Sequence, residues 1–227
     1  MKKKVLTFLI LTTCALIGNA QTLEEIIKKQ SQALKENKYD EIQTLKITGS
    51  MSQSGMTLTM TTFYKAPDKS RVVISFNGQD IIQFYDGNKG YIINPMTGNN
   101  NPQELPAEQA ASMKNNSTFK SPLSRYLQEK KLTLEGTENL NNKPAFKIKA
   151  VDGGNTFYYY IDKSTWLPVK ITAVSQGINI DTYQEWAEIN GIIIPKVTRT
   201  TAGNIEIIIN LEKVEVNIPL EDSLFKI

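Results

Sequence analysis

The sequence predicts a mainly β (α+β) protein, built on one curved antiparallel sheet that forms an incomplete barrel. From residue 43 onward, short runs alternate apolar and polar residues, as Met56, Leu58 and Met60 do with threonines between them. This is the period of a strand with two different faces. Dipeptides such as Asn77-Gly78 and Asp86-Gly87 separate the runs and suit tight hairpin turns. Because strands and helices do not alternate, we expect consecutive antiparallel strands.

The alternating runs predict about a dozen strands in consecutive hairpins, and a meander of this length curves around an interior. No Pro/Gly/Ser-rich linker or block of charge indicates a second domain. In the second half of the chain the predicted strands are Leu132–Glu138, Ala145–Val151, Thr156–Ile161, Val169–Val174, Ile178–Trp186, Ile192–Thr198 and Ile205–Val216.

Helices are predicted at two places. The first is an amphipathic helix over residues 22–37, because Thr22 followed by Glu25 has the spacing of a capping box. The second place is residues 94–130, where Asn94-Pro95 ends the strand pattern and the next residues are polar and irregular. Two short helices are expected there, and we predict that they form a lid over the concave face of the sheet. Their bounds are about Ala107–Lys114 and Ser121–Lys130.

The first twenty residues have the order of a cleavable secretory signal peptide. Met1 to Lys4 is basic, an apolar run follows, and Gly18-Asn19-Ala20 offers small residues at the cleavage site. We therefore expect residues 21–227 to form one domain in the periplasm. Lipidation of Cys14, which would anchor the chain in the outer membrane, is the alternative; Thr13 is a poor residue before such a cleavage site, so the cysteine is expected to leave with the signal.

Composition excludes several function classes once residues 1–20 are removed. The chain has 26 basic and 23 acidic residues, and the first twenty hold three of the lysines and no acid, so 23 of each remain. Nucleic-acid binding needs a surplus of cations and is not expected. With no histidine and no other cysteine, triads based on either residue cannot form.

We find no signature of catalysis, of a metal site or of a cofactor. Asp181 and Glu185 share a face of a predicted strand and are the nearest approach to a carboxylate pair. Such a pair is more typical of the solvated face of an antiparallel sheet. The sequence therefore predicts a protein that is not an enzyme.

Several predicted strands are apolar on both faces, as in Ile81-Ile82, Ile92-Ile93 and Ile207-Ile208-Ile209. Helices packed over one face would explain them as ordinary core. A concave face that stays accessible to an apolar ligand is the functional interpretation, and the methionines favour it because thioethers adapt to irregular ligands. The predicted ligand-binding residues are Met51, Met56, Leu58, Met60, Val72, Ile74, Phe76, Ile82, Phe84, Tyr91, Ile93, Met113, Leu123, Tyr158, Tyr160, Trp186, Ile207 and Ile209.

The order of motifs along residues 22–227 resembles the LolA-like family of periplasmic lipoprotein carriers, whose fold is shared by LolB and RseB. The residues that carry the resemblance are Lys65–Arg71, Ile81–Lys89, Tyr91–Pro95, Tyr160–Ile171 and Glu215–Phe225. The resemblance implies a half-open barrel with a helical lid and an apolar cavity for acyl chains. It also implies a monomer that carries or binds lipoproteins or lipids and that exchanges cargo with inner- or outer-membrane partners.

The resemblance leaves two alternatives open: an RseB-type module that senses lipids or binds an envelope partner, and a LolB-like receptor anchored through Cys14. The sequence also departs from the family at one position. Well-studied carriers have an arginine before the proline that corresponds to Pro67, and this chain has Ala66 there, with Lys65 one residue earlier. Because neighbouring residues on a strand point to opposite faces, Lys65 is expected on the wrong side to replace the arginine.

Overall fold

The computed structural model describes residues 21–116, 120–175 and 177–226. The predicted signal peptide and Cys14 lie outside these residues. The four α-helices are α1 Leu23–Ala33, α2 Glu36–Tyr39, α3 Ala107–Asn116 and α4 Leu123–Gln128. The thirteen strands are β1 Thr44–Gln53, β2 Met56–Lys65, β3 Lys69–Phe76, β4 Gln79–Tyr85, β5 Gly90–Asn94, β6 Asn99–Glu104, β7 Leu132–Leu140, β8 Lys143–Asp152, β9 Asn155–Asp162, β10 Pro168–Ser175, β11 Ile178–Ile189, β12 Ile192–Ala202 and β13 Ile205–Val216.

All thirteen strands belong to one antiparallel sheet in the order β6-β5-β4-β3-β2-β1-β13-β12-β11-β10-β9-β8-β7. Strands that are consecutive in sequence pair with each other, except β6 and β7, and β1 pairs in addition with β13. The two edges are β6 and β7, and the chain between them runs through α3 and α4. The sheet therefore curves without closing, and the predicted fold class is confirmed.

Paired residues on antiparallel strands point to the same face of the sheet, so the register divides the side chains into two sets. We call the face on which the helices pack the helical face. On it, Ile26 of α1 and Leu123 of α4 pack against Phe146 and Ile148 in one core cluster. Tyr39, from α2, packs with Leu45, Ile47, Tyr64, Ile192, Ile194 and Val214 in a second cluster.

The predicted capping box is confirmed at the start of α1. The Thr22 hydroxyl accepts a hydrogen bond from the Glu25 amide, and the Glu25 carboxylate accepts one from the Thr22 amide, both at 3.2 Å. The single helix predicted over residues 22–37 is wrong in its length. The helix ends after Ala33, because Lys35 has the left-handed φ of 52°, and α2 begins after this break.

A strand was also missed in the segment predicted to be irregular. Residues Asn99–Glu104 form β6, which pairs with β5 at the edge of the sheet. Its sequence is polar and contains Pro102, which an edge strand tolerates because one side of its backbone needs no partner. The predicted helix after Ser121 is shorter than expected, since α4 covers Leu123–Gln128.

Gly49 lies at the centre of the sheet, where the register between β1 and β13 shifts after Thr48. A β-carbon there would collide with the carbonyl oxygen of Asn210 and would lie 3.1 Å from the Cα of Leu211. The strands can approach this closely only because residue 49 has no side chain.

Replacement of Gly49 by alanine is therefore expected to force β1 and β13 apart and to lower the free energy of unfolding by about 2 kcal/mol or more. Urea unfolding followed by circular dichroism measures this. Gly55→Ala is the comparison for backbone strain without a collision. Its φ of +79° disfavours alanine by about 1 kcal/mol, but no heavy atom lies within 4 Å of a β-carbon there, so a smaller loss is expected. Equal losses in the two variants would contradict the packing argument.

Candidate functional site

Half of the predicted ligand-binding residues come together on the helical face of β1, β2, β3 and β13. The register aligns Leu58 with Met51 and Met51 with Ile209, and it aligns Met60 with Ile74. We call the following set the apolar surface: Met51, Leu58, Met60, Val72, Ile74, Phe76, Ile207 and Ile209. Met56, the ninth residue, lies at its exposed margin.

The apolar surface is half-buried. Met60 is buried, whereas the other seven side chains are partly exposed. By contrast, the same face of β8 and β9 is sealed, because Ile148 and Ile161 are fully buried beneath α1 and α4. A single sheet face thus carries a closed core at one end and an accessible apolar area nearer its middle.

The other nine predicted residues do not lie on the apolar surface. Met113 belongs to α3, and Leu123 belongs to α4, where it is fully buried in the first core cluster. The register places seven residues on the opposite face of the sheet. These are Ile82, Phe84, Tyr91, Ile93, Tyr158, Tyr160 and Trp186.

Phe84 and Tyr91 are buried on that opposite face because the C-terminal segment packs there. Their rings stack with centroids 5.0 Å apart, and the guanidinium of Arg71 lies 5.8 Å from the Phe84 ring. Arg71 also donates a hydrogen bond of 2.9 Å to the carbonyl of Leu224. Burial lowers the pKa of Arg71 from its usual value. These aromatic residues therefore belong to a structural contact.

Lys65 also belongs to the contact with the C-terminal segment. Its ammonium donates to the carbonyl of Leu220 at 3.0 Å and pairs with Asp222 at 2.9 Å. The hydrogen bond from the Lys65 ammonium to the Asp222 carboxylate lowers the pKa of Asp222, and the charges of Lys65 and Lys69 lower it further. Ala66 instead packs against the second core cluster on the helical face. Lys65 thus points away from the lid, as strand alternation predicted.

The tyrosines on the opposite face alternate with cations. The ammonium of Lys147 lies 5.0 Å from the Tyr158 ring, and that of Lys170 lies 5.4 Å from the Tyr160 ring. Lys170 also pairs with Asp181 at 3.0 Å. Asp181, one of the two carboxylates considered for acid–base chemistry, is therefore engaged in an ion pair on a partly solvated face.

Two grooves lie away from the apolar surface. One, of about 250 Å³, lies beside α3 and is lined by Tyr85, Lys89, Glu104 and Lys114 among others. The other, of about 450 Å³, lies mainly on the opposite face, near Tyr183 and Arg199. Neither groove is lined by the predicted apolar residues, so the apolar surface is an open area of the sheet and not one of these grooves.

A strip of small and polar side chains borders the apolar surface on β11 and β12. The hydroxyls of Thr182 and Thr200 lie 3.2 Å apart, and Gln184 pairs in register with Thr198 on the helical face. The side-chain oxygen of Gln184 is buried, and no described residue forms a hydrogen bond with it. This strip was not predicted, because its residues resemble a solvated strand face.

Gln30 is a second feature that the sequence did not predict. It lies on α1, is 0% exposed, and neither its amide nitrogen nor its oxygen has a hydrogen-bond partner among the described residues. Burial without a partner costs about 1–3 kcal/mol for each polar group. Nothing in the packing of α1 explains why a polar residue stands there.

The helix α3 lies close to the helical face because Gly90 on β5 has no side chain. A β-carbon on Gly90 would lie 3.2 Å from both the Cα and the Cβ of Ala110 and 3.3 Å from the sulfur of Met113. The predicted lid thus packs on the sheet beside the apolar surface, over β3, β4 and β5.

Solved structures with the same fold come from several bacteria. A DUF1329 family protein from Desulfovibrio piger has a TM-score of 0.65 and 13% identity, and the alignment covers 88% of this chain and 97% of that one. A putative outer membrane lipoprotein-sorting protein domain from Vibrio parahaemolyticus has a TM-score of 0.61 and 11% identity over 88% and 97%. The chain has the LolA-like fold.

A LolA superfamily protein from Nitrosomonas europaea agrees, with a TM-score of 0.57 and 13% identity over 87% of this chain and 97% of that one. The predicted resemblance to LolA-like proteins is therefore confirmed at the level of the fold. The chain matches no protein-family profile and no curated protein sequence.

Two further observations concern residues 21–116, 120–175 and 177–226. Within these ranges no helix is long and apolar enough to cross a membrane. Within the same ranges no group of three histidine, cysteine, aspartate or glutamate side chains is placed to hold a metal ion.

Replacing Gln30 by methionine is expected to raise the free energy of unfolding by about 1–2 kcal/mol, because it removes two unpaired polar groups and keeps the length of the side chain. Urea unfolding measures the change. Gln32→Met is the matched control on the exposed side of the same helix, where an effect within about 0.5 kcal/mol is expected. A loss of stability in Gln30→Met alone would mean that the amide is hydrogen-bonded in the native protein.

Proposed function

We propose that this chain is a periplasmic carrier or binder of lipoproteins or lipids, that residues 1–20 are its signal peptide, and that residues 21–227 bind without catalysing a reaction. The observation that carries the proposal is the half-buried apolar surface on the helical face of a LolA-like sheet. The exposure of seven of its eight side chains is not forced by the fold, since the same face is sealed under α1 and α4.

The dimensions of the apolar surface suit a lipid tail. It spans four strands, β13, β1, β2 and β3, which corresponds to about 14 Å at the usual spacing between strands. The five residues from Val72 to Phe76 on β3 add a length of about 14 Å along the strand. Each methylene of an acyl chain removed from water on this surface contributes about 0.8 kcal/mol. Two thioethers, those of Met51 and Met60, can adapt to a flexible chain.

The charge of the proposed mature chain favours a lipid over a polyanion. Residues 21–227 carry equal numbers of basic and acidic side chains, so they offer no general attraction for nucleic acid. We propose that the protein acts as a monomer and meets membrane partners during loading or delivery.

Neighbouring isoleucines on β13 give a matched test of the binding face. Ile209 pairs with Met51 on the apolar surface, whereas Ile208 pairs with Ser52 on the opposite face, and both are half-buried. Ile209→Gln is expected to weaken the binding of a fluorescent fatty acid at least about tenfold, because it removes a contact worth about 1.5–3 kcal/mol. Ile208→Gln is expected to bind like the wild type. Fluorescence titration measures both affinities.

Equal affinities in the two variants would show that the ligand binds elsewhere, and a wild-type protein that binds no fatty acid would contradict the proposal. Native mass spectrometry of protein from an envelope fraction identifies the natural ligand. A stable membrane-protein partner that binds independently of acyl chains would instead support the RseB-type alternative. Labelling with a palmitate analogue that disappears in Cys14→Ala would support an anchored receptor.

A further inference from the structure

Exposed apolar side chains concentrate at one end of the sheet. Because consecutive strands are antiparallel, the β1–β2, β3–β4, β5–β6, β8–β9, β10–β11 and β12–β13 turns all lie at the same end, which we call the upper end. Six large apolar side chains are exposed among the described residues, and five of them belong to these turns or adjoin them. The five are Met56, Met96, Val151, Ile178 and Ile205.

Three of the five continue the helical face outward. Met56, Ile178 and Ile205 are 49%, 57% and 52% exposed, and each is the first residue of the strand that follows its turn. Met56 leads down β2 to Leu58, and Ile205 leads down β13 to Ile207, so two of the exposed side chains are continuous with the apolar surface.

The three side chains are regularly spaced. In the sheet, β2 and β13 are separated by β1, and β13 and β11 are separated by β12. The register also places each side chain two residues further along the strands than the one before. Neighbouring side chains are therefore about 10 Å apart across the sheet and about 7 Å apart along the strands. Gly55, Gly177 and Asn204, which immediately precede them, are uncharged. Glu206, the nearest acid on β13, points to the opposite face and pairs with Arg199 at 3.3 Å.

We infer that Met56, Ile178 and Ile205 form a docking rim that inserts into the surface of a lipid bilayer. The rim has separate aliphatic tips instead of the continuous flat patch that a folded protein partner would cover, and its turns offer no cation for a charged partner. Insertion of such tips is driven by burial of apolar area in the interfacial region. The inference rests on the proposed function, since the rim would place the apolar surface beside the lipid that it takes up or delivers.

Vesicle flotation tests the rim. The exported, processed protein is mixed with phosphatidylcholine vesicles, and separately with vesicles that contain one quarter phosphatidylglycerol, at low and high salt. The wild type is expected to bind both kinds, and to bind them equally at the two salt concentrations, because no cation contributes. The triple variant M56S/I178S/I205S is expected to bind at least about tenfold more weakly.

Val151→Ser is the matched control, because Val151 is 45% exposed at the same end and points to the opposite face; it is expected to bind like the wild type. Thermal unfolding checks that all variants fold, which is expected since the substituted side chains are exposed. Fatty-acid titration without vesicles tests the apolar surface separately. The double variant I178S/I205S, which leaves Met56 at the margin of that surface unchanged, is expected to retain that binding.

Four results would overturn the rim. In the first, the wild type does not float with vesicles. In the second, Val151→Ser weakens binding as much as the triple variant does. In the third, binding occurs only on anionic vesicles and is lost in high salt. In the fourth, the triple substitution abolishes a concentration-dependent dimer in sedimentation and leaves flotation unchanged, which would assign the rim to contact between two copies. Retained fatty-acid binding with any of these would leave the proposed function intact.

Discussion

The pairing of the first strand with the last is the interaction on which the structure depends. Strands β1–β6 and β7–β13 are two meanders, and the sheet becomes continuous because β1 pairs with β13. The apolar surface lies across this seam, where Met51 is opposite Ile209. A contact between residues so far apart in the chain carries a large loop-closure cost. Gly49 permits the pairing because it leaves room for the backbone of β13. The fold and the apolar surface therefore both depend on the absence of a side chain at residue 49.

The three longer helices are anchored on the sheet to different degrees. In α1, Ile26 and Ile27 are buried, and in α4, Leu123 and Tyr126 are buried, all within one core cluster. In α3, by comparison, Ala110 is the buried residue among those whose side chains are described. The amount of apolar area that a helix buries sets most of its local stability, so α1 and α4 close a permanent core while α3 rests more weakly beside the apolar surface.

Sequence patterns predicted the fold well but placed only half of the proposed ligand-binding residues on one face, and the difference follows from strand alternation. Met56, Leu58 and Met60 alternate with threonines, so their shared face could be read directly. Ile81-Ile82 and Ile92-Ile93 are apolar at successive positions, and a period of two cannot assign a face to such a pair. The register decides it, and Ile82 and Ile93 point away from the apolar surface. The strand β6 was missed because its residues are polar, and the burial of Gln30 was missed because glutamine is mostly exposed in folded proteins.

The position of Lys65 distinguishes this chain from the carriers that it resembles. Those carriers have an arginine before the proline that corresponds to Pro67, where this chain has Ala66. Here Lys65 holds Leu220 and Asp222 of the C-terminal segment on the opposite face, and Ala66 has no polar group to offer. The contacts that hold α3 include the close approach at Gly90 and the ion pair of 3.8 Å between Lys114 and Asp68. An exposed pair of this kind contributes less than about 1 kcal/mol, so the fit of α3 against β5 matters more than charge for the position of the lid.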